Sequence, residues 1–184
     1  MKITIQNTRI AFASIFEASA YGENEPKFSL KAILAPASPT ASELRRAFLS
    51  VAKEKWGAKG EAIYQQLVGQ GKVALVEGDY LNAAGDPYDG FAGNYYVSAS
   101  SKSRPLVIDR DKTPLVAADG KPYSGCYCNV QIEIWAQDNK WGKRLNAELK
   151  GIQFAKDGVA FSGSAPASTD DFEDLSVEDG ADLV

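Results

Sequence analysis

The chain has 184 residues and 45% hydrophobic content, enough for one domain with a real core, and no break in composition asks for a second. Its formal charge of −4 is unevenly spread: residues 165–184 hold seven acidic side chains and no Lys or Arg, leaving 17 acidic against 20 basic residues before them, a body of +3. Histidine is absent, which removes the commonest general base and metal ligand together with every Ser-His or Cys-His nucleophile, so neither an enzyme nor a cofactor or metal site is expected.

Residues 2–34 read as strands. Ile3 and Ile5 alternate with polar neighbours, Ile10 and Phe12 resume in the opposite phase, and Phe28, Leu30, Ala32 and Leu34 alternate again. The slip across Asn7-Thr8 implies a turn or bulge. The period then changes. Thr40-Ala41-Ser42-Glu43 after Pro39 has the form of a capping box, followed by Leu44, Ala47, Phe48, Val51 and Ala52 at helical spacing. A second helix is expected around 61–68, ending at Gly69 and Gly71, so that about 40–71 forms one helical insertion. Arg45, Arg46, Lys53, Lys55 and Lys59 line its polar sides, a solvated face.

Strand signals return after Lys72, punctuated by Gly85-Asp86-Pro87 and Asp89-Gly90 turns. The candidates are 94–101, 104–109, 124–136 and 144–156. In the third, Cys126, Cys128, Val130, Ile132, Ile134 and Ala136 share an apolar face, and Tyr127, Asn129, Gln131, Glu133 and Trp135 share the other. The two cysteines read as small reduced core residues. In the fourth, Leu145, Ala147 and Leu149 give way to Ile152 and Phe154 across Gly151, as at a bulge or barrel corner. Five or more bulged strands around a helical insertion predict a mainly β domain over 1–163, an OB-fold-like Greek-key barrel, followed by an acidic C-terminal tail over 164–184 too polar to fold.

Sequence-tolerant binding of single strands requires basic residues for the phosphates and rings for the bases. Taking Val97 and Ala99 as core makes Tyr95 buried and Tyr96 exposed, with Lys102 and Arg104 following. Tyr127 and Trp135 face out of the next long strand, with Lys121 and Tyr123 in its approach and Trp141, Lys143 and Arg144 in the turn beyond. Ligand contact is expected of Tyr96 and Tyr127, whereas Trp135 and Trp141 stand open between contact and packing. Arg110 and Lys112, interleaved with Asp109 and Asp111, read as local ion pairs. Asp79, Asp86 and Asp89 sit in turns, and a metal-dependent nuclease built on them is the weakest reading considered.

The stretches 93–109 (GNYYVSASSKSRPLVID), 119–127 (DGKPYSGCY) and 149–158 (LKGIQFAKDG) resemble a phage-borne family first catalogued as a domain of unknown function. That resemblance implies an OB-fold single-stranded-DNA-binding protein with an acidic C-terminal tail, acting in phage replication or recombination in the bacterial cytoplasm. The expected partner is single-stranded DNA, with weaker binding of duplex DNA or RNA compatible with the same groove. A second set of partners is replication or recombination proteins that read the tail through Asp170, Asp171, Phe172, Glu173, Asp174, Glu178, Asp179 and Asp182. A homodimer is compatible with the exposed rings, and no membrane partner is expected. The rival reading is a phage structural or assembly protein whose aromatic face is a subunit interface.

Overall fold

The computed structural model describes residues 1–161 and Phe172. The first strand, β1 (Lys2–Ser19), carries the slip anticipated near Asn7: its pairing register shifts between Ile5 and Thr8, and Asn7 takes a φ of 46°. An extra residue there re-phases the strand, so Ile5 and Ile10 both point into the core. A second shift lies between Ala11 and Ser14, where Phe12 takes a φ of 51°. This turns Phe12 away from the face it was expected to share with Ile10.

The antiparallel strand β2 (Lys27–Leu34) leads into α1 (Pro39–Trp56), a short 3-10 turn and α2 (Gly60–Gly69). The helix starts earlier than the capping box suggests. Ser38 is the cap, its hydroxyl accepting the Ala41 amide at 3.2 Å, because Pro39 at the first helical position needs no partner for an amide it lacks. Leu44, Ala47, Phe48, Val51 and Ala52 form the buried stripe predicted. At the far end Trp56 Nε1 donates to Asp138 Oδ2 at 2.8 Å, which ties the insertion to the sheet.

The remaining strands are β3 (Leu75–Val76), β4 (Tyr95–Ser101), β5 (Leu106–Ile108), β6 (Tyr127–Asn139) and β7 (Gly142–Lys156). They pair in the order β3-β4-β2-β1-β6-β7-β5, and a further parallel contact between Ser100 of β4 and Glu148 of β7 closes β4-β2-β1-β6-β7 into a five-stranded barrel. Closure removes the open edges that a sheet of this size would otherwise expose. The mainly β barrel with a helical insertion is therefore what the chain forms. β7 is bulged opposite Gln131/Ile132, where Gly151 and Leu149 are the successive partners, and this lets Leu149 and Ile152 both face inward.

The main core runs from Ile5, Ile10 and Leu30 through Phe48 of α1 to Val130, Ile132, Leu149 and Ile152. Each such side chain contributes about 1.5–3 kcal/mol by leaving water. Cys126 and Cys128 are free and buried within it, their sulfurs 3.6 Å apart. The Cys126 thiol and burial together push the Cys128 pKa up, keeping it protonated.

The outer face of the barrel was expected to be wet, yet part of it is not. Ala11, Phe91 and Tyr96 form a second buried cluster, with Ile33, Val76, Tyr80, Tyr88 and Phe161 packed around them. The connection between β3 and β4 supplies most of these rings and folds back over strands β1, β2 and β4. Asp79 Oδ1 closes that connection by accepting the Gly93 amide at 2.8 Å, and Asn82 Oδ1 accepts the Ala84 and Asp86 amides in its turn.

Candidate nucleic-acid interface

Folding 77–94 over the barrel leaves a groove between this connection and the last described segment of the chain. One concavity is lined by Arg9, Asp89, Tyr127, Gly158 and Phe161. The adjoining one, about 460 Å³, is lined by Phe12, Ser14, Tyr21, Tyr88, Asp89, Ser124 and Phe161. The second core forms the floor. Phe12 stands edge-on to Tyr80 and Tyr88, with ring centroids 5.5 and 5.0 Å away, and Tyr80 stacks on Tyr88 at 5.0 Å. The rings thus brace one another, leaving Phe12 and Tyr21 as apolar surface at the mouth.

Three cations border these rings, and among the described residues none has a carboxylate partner. Lys31 extends from the outer face of β2, its Nζ 4.5 Å from the Tyr80 ring and 2.8 Å from the Ser98 hydroxyl. Burial lowers its pKa, so it is a cation held against a desolvation cost. Arg9 donates through Nε to the Gly125 carbonyl at 3.1 Å and through Nη2 to the Val159 carbonyl at 2.6 Å, and its guanidinium lies 4.1 Å from the Phe161 ring. Lys156 sits 4.6 Å over the Tyr127 ring. Each cation is satisfied by carbonyls, hydroxyls or ring faces, which fix its position while leaving its charge uncompensated.

Segment 157–161 builds one wall. It approaches β6 so closely that a Cβ on Gly125 would strike the Val159 carbonyl, and one on Gly158 would strike the Gly125 carbonyl. Tyr123 fastens it, donating to Asp157 Oδ1 at 2.7 Å and accepting the Gly158 amide at 3.3 Å. Burial and the Asp157 carboxylate push the Tyr123 pKa up to about 12.

The side chains singled out in the sequence separate into groups. Tyr127 is in the groove. Tyr96 is not the exposed ring expected: it is 8% exposed and lies in the groove floor. Alternation placed it on the outer face correctly, but the 77–94 connection covers that face. Tyr95, expected in the core, is half-buried and packs against it. Lys102 pairs with Glu25 at 2.6 Å, and Arg104 is exposed nearby. Lys121 pairs with Asp109 at 2.9 Å, so the ion pair of Asp109 is with Lys121 across the loop; its neighbour Arg110 reaches it through the backbone amide, which donates to Asp109 Oδ1 at 2.8 Å.

Trp135, Trp141, Lys143 and Arg144 lie at the other end of the β6–β7 hairpin. Eight residues of strand, about 27 Å, separate Trp135 from Tyr127, and between them Lys150 is paired to both Glu133 and Glu148. Lys143 is paired to Asp138 at 3.2 Å, and Trp141 is stacked under Lys140. Tail residues Asp170, Asp171, Glu173, Asp174, Glu178, Asp179 and Asp182 lie outside the described residues, while Phe172 is exposed. Among the described residues no three acidic or Cys side chains gather in a way that could hold a metal.

Arg9, Phe12, Tyr21, Lys31, Tyr80, Tyr88, Lys156 and Phe161 were missed. Two signals pointed to some of them. Lys31 alternates with Leu30 and Ala32 and therefore faces outward, and Tyr80 and Tyr88 are rings in a turn-rich stretch that has no strand of its own to bury them.

A closed five-stranded barrel with a helical insertion, whose outer face carries rings bordered by uncompensated cations, has the build of an OB-type domain with a nucleic-acid groove. The chain belongs to the family described as "Enterobacter phage Enc34, ssDNA-binding protein", whose model matches residues 1–183. It is 43% identical to "Putative protein p50" of Acyrthosiphon pisum secondary endosymbiont phage 1, over 100% of this chain and 99% of that protein. Among solved structures it resembles the single-stranded DNA-binding protein from bacteriophage Enc34 in complex with ssDNA, with a TM-score of 0.71, 22% identity and coverage of 87% and 89% of the two chains. It also resembles gp2.5, a single-stranded DNA-binding protein encoded by bacteriophage T7, with a TM-score of 0.58, 9% identity and coverage of 91% and 98%. At these identities the structural likeness establishes the fold.

Proposed function

We propose that the chain binds single-stranded DNA in the groove between 77–94 and 157–161, with bases stacked on Phe12, Tyr21 and Tyr127 and phosphates met by Arg9, Lys31 and Lys156. The observation that carries this reading is the coincidence of exposed rings with three cations that have no carboxylate partner among the described residues. A structural face would neutralise such charges, whereas a polyanion supplies what they lack. Family membership and the ssDNA-bound relative of the same fold support it. Binding needs no bond made or broken, so the role is that of a coat on exposed single strands during phage replication or recombination in the host cytoplasm.

The acidic tail has two roles in this proposal. The chain runs on from Phe161, which lines the groove, to the first tail acid, Asp170, nine residues later, so seven carboxylates are held on a short tether at a high effective concentration and compete with DNA. When DNA displaces it, the tail is released to replication or recombination proteins. The test of binding is anisotropy of a labelled oligo(dT) against a duplex of equal length. Tight, salt-sensitive binding of the single strand with weaker binding of the duplex is expected, and failure to bind oligo(dT) at low salt would contradict the reading.

A further inference from the structure

Asp89 does not fit a groove made only for phosphates. Asp89, an exposed residue, lines both concavities, and among the described residues it has neither an ion pair nor a side-chain hydrogen bond. A bare carboxylate repels a phosphate backbone, so a strand lying here must present a different part of itself to Asp89.

The surroundings identify that part. The concavity of about 460 Å³ is lined by the rings of Phe12, Tyr21, Tyr88 and Phe161, with the hydroxyls of Ser14 and Ser124 and the Asp89 carboxylate as its polar groups. Ser124 already accepts the Ala13 amide at 3.1 Å, which leaves Asp89, the one acidic residue in this lining, as its strongest acceptor. A base held between rings presents its edge to whatever polar group stands at the side. A carboxylate only accepts, so it selects an edge that donates. Cytosine offers its N4 amino group, adenine its N6 and guanine its N2, whereas thymine offers one N–H flanked by two carbonyl oxygens that the carboxylate repels.

Resting on the single-strand reading above, we infer that this cavity takes one unstacked base of the bound strand and that Asp89 favours a base bearing an exocyclic amino group over thymine. The groove is then tolerant of sequence along most of its length and selective at one position.

The test uses the full chain and short labelled oligonucleotides of equal length: oligo(dT), oligo(dC), and oligo(dT) with a single dC placed at each position in turn. Wild-type protein is expected to gain affinity when dC reaches the cavity position. Asp89→Asn and Asp89→Ala should shift the dT-to-dC ratio of dissociation constants toward thymine by at least about fivefold, the lower end of discrimination by a hydrogen-bonded base contact. Affinity for oligo(dT) itself should rise in Asp89→Ala, since a negative charge leaves the groove. If both homopolymers tighten equally in the variants, Asp89 acts through charge alone and the inference is wrong. If the ratio does not move, it is wrong as well. Failure of wild-type protein to bind either homopolymer would instead remove the single-strand reading and this inference with it.

Discussion

Phe12 shows how the site is made from one residue out of place. A non-glycine residue with a φ of 51° is strained by about 1–2 kcal/mol, and the strand tolerates it because the ring it turns outward is braced by Tyr80 and Tyr88. Phe12→Ala should lower single-strand affinity by about 1–3 kcal/mol, the range for losing one stacked base. Tyr96→Ala should behave differently: the ring is part of the buried floor, so the main loss is about 3–5 kcal/mol of stability, seen in chemical denaturation. Alternation located both side chains on strands, but it could not show that Phe12 leaves its phase through a bulge, nor that the connection leading into β4 would fold back and cover Tyr96.

Tyr123 gives a pH signature at the same scale. Its pKa is raised in the folded protein to about 12, so folding favours the neutral phenol. The stability this contributes is complete below the ordinary tyrosine pKa of about 10 and is lost as pH rises from there through about 12. Absorbance titration should show one phenol ionising near that upper value, and Tyr123→Phe should abolish it. Burial raises Tyr64, Tyr80 and Tyr96 as well, so the diagnostic is the difference between the two proteins: identical high-pH titrations of wild type and Tyr123→Phe would contradict the raised Tyr123 pKa.

Two elements divide the surface. The 157–161 segment forms the groove wall through close backbone contact at Gly125 and Gly158, so Gly125→Ala should detach it and weaken binding of single strands more than it lowers the melting temperature. The β6–β7 hairpin places Tyr127 at one end of its outer face and Trp135 and Trp141 at the other. For an oligonucleotide shorter than the hairpin, Tyr127→Ala should weaken binding while Trp135→Ala and Trp141→Ala leave it unchanged. Equal losses in all three would mean that the strand runs along β6. The long strands and helices were legible because each has a single repeating face: the six apolar residues from Cys126 to Ala136, or the stripe from Leu44 to Ala52. The wall and the 77–94 connection have no period, and only tertiary packing gives them a place.

For the whole molecule, charge is the governing quantity. A body of +3 is small, yet three of its cations stand against rings in and beside one groove, and the seven tail acids begin at Asp170, nine residues beyond Phe161. Truncation after Gly163 should tighten binding of single strands and reduce discrimination against duplex, most of all at low salt where screening is weakest. Equal affinities of the full and truncated chains at low salt would leave the tail without a competing role.

The central claim is that the Arg9 and Lys31 cations hold the phosphates of a single strand. The direct measurement is the salt dependence of binding to a short labelled oligo(dT), followed by anisotropy for the wild-type chain and for Arg9→Ala/Lys31→Ala with its fold checked by circular dichroism. Each phosphate contact contributes about −0.7 to the slope of log affinity against log salt, so the double variant should bind more weakly and its slope should be shallower by about 1.4. An unchanged slope in a folded double variant would place the phosphates elsewhere on the barrel and contradict the assignment of this groove.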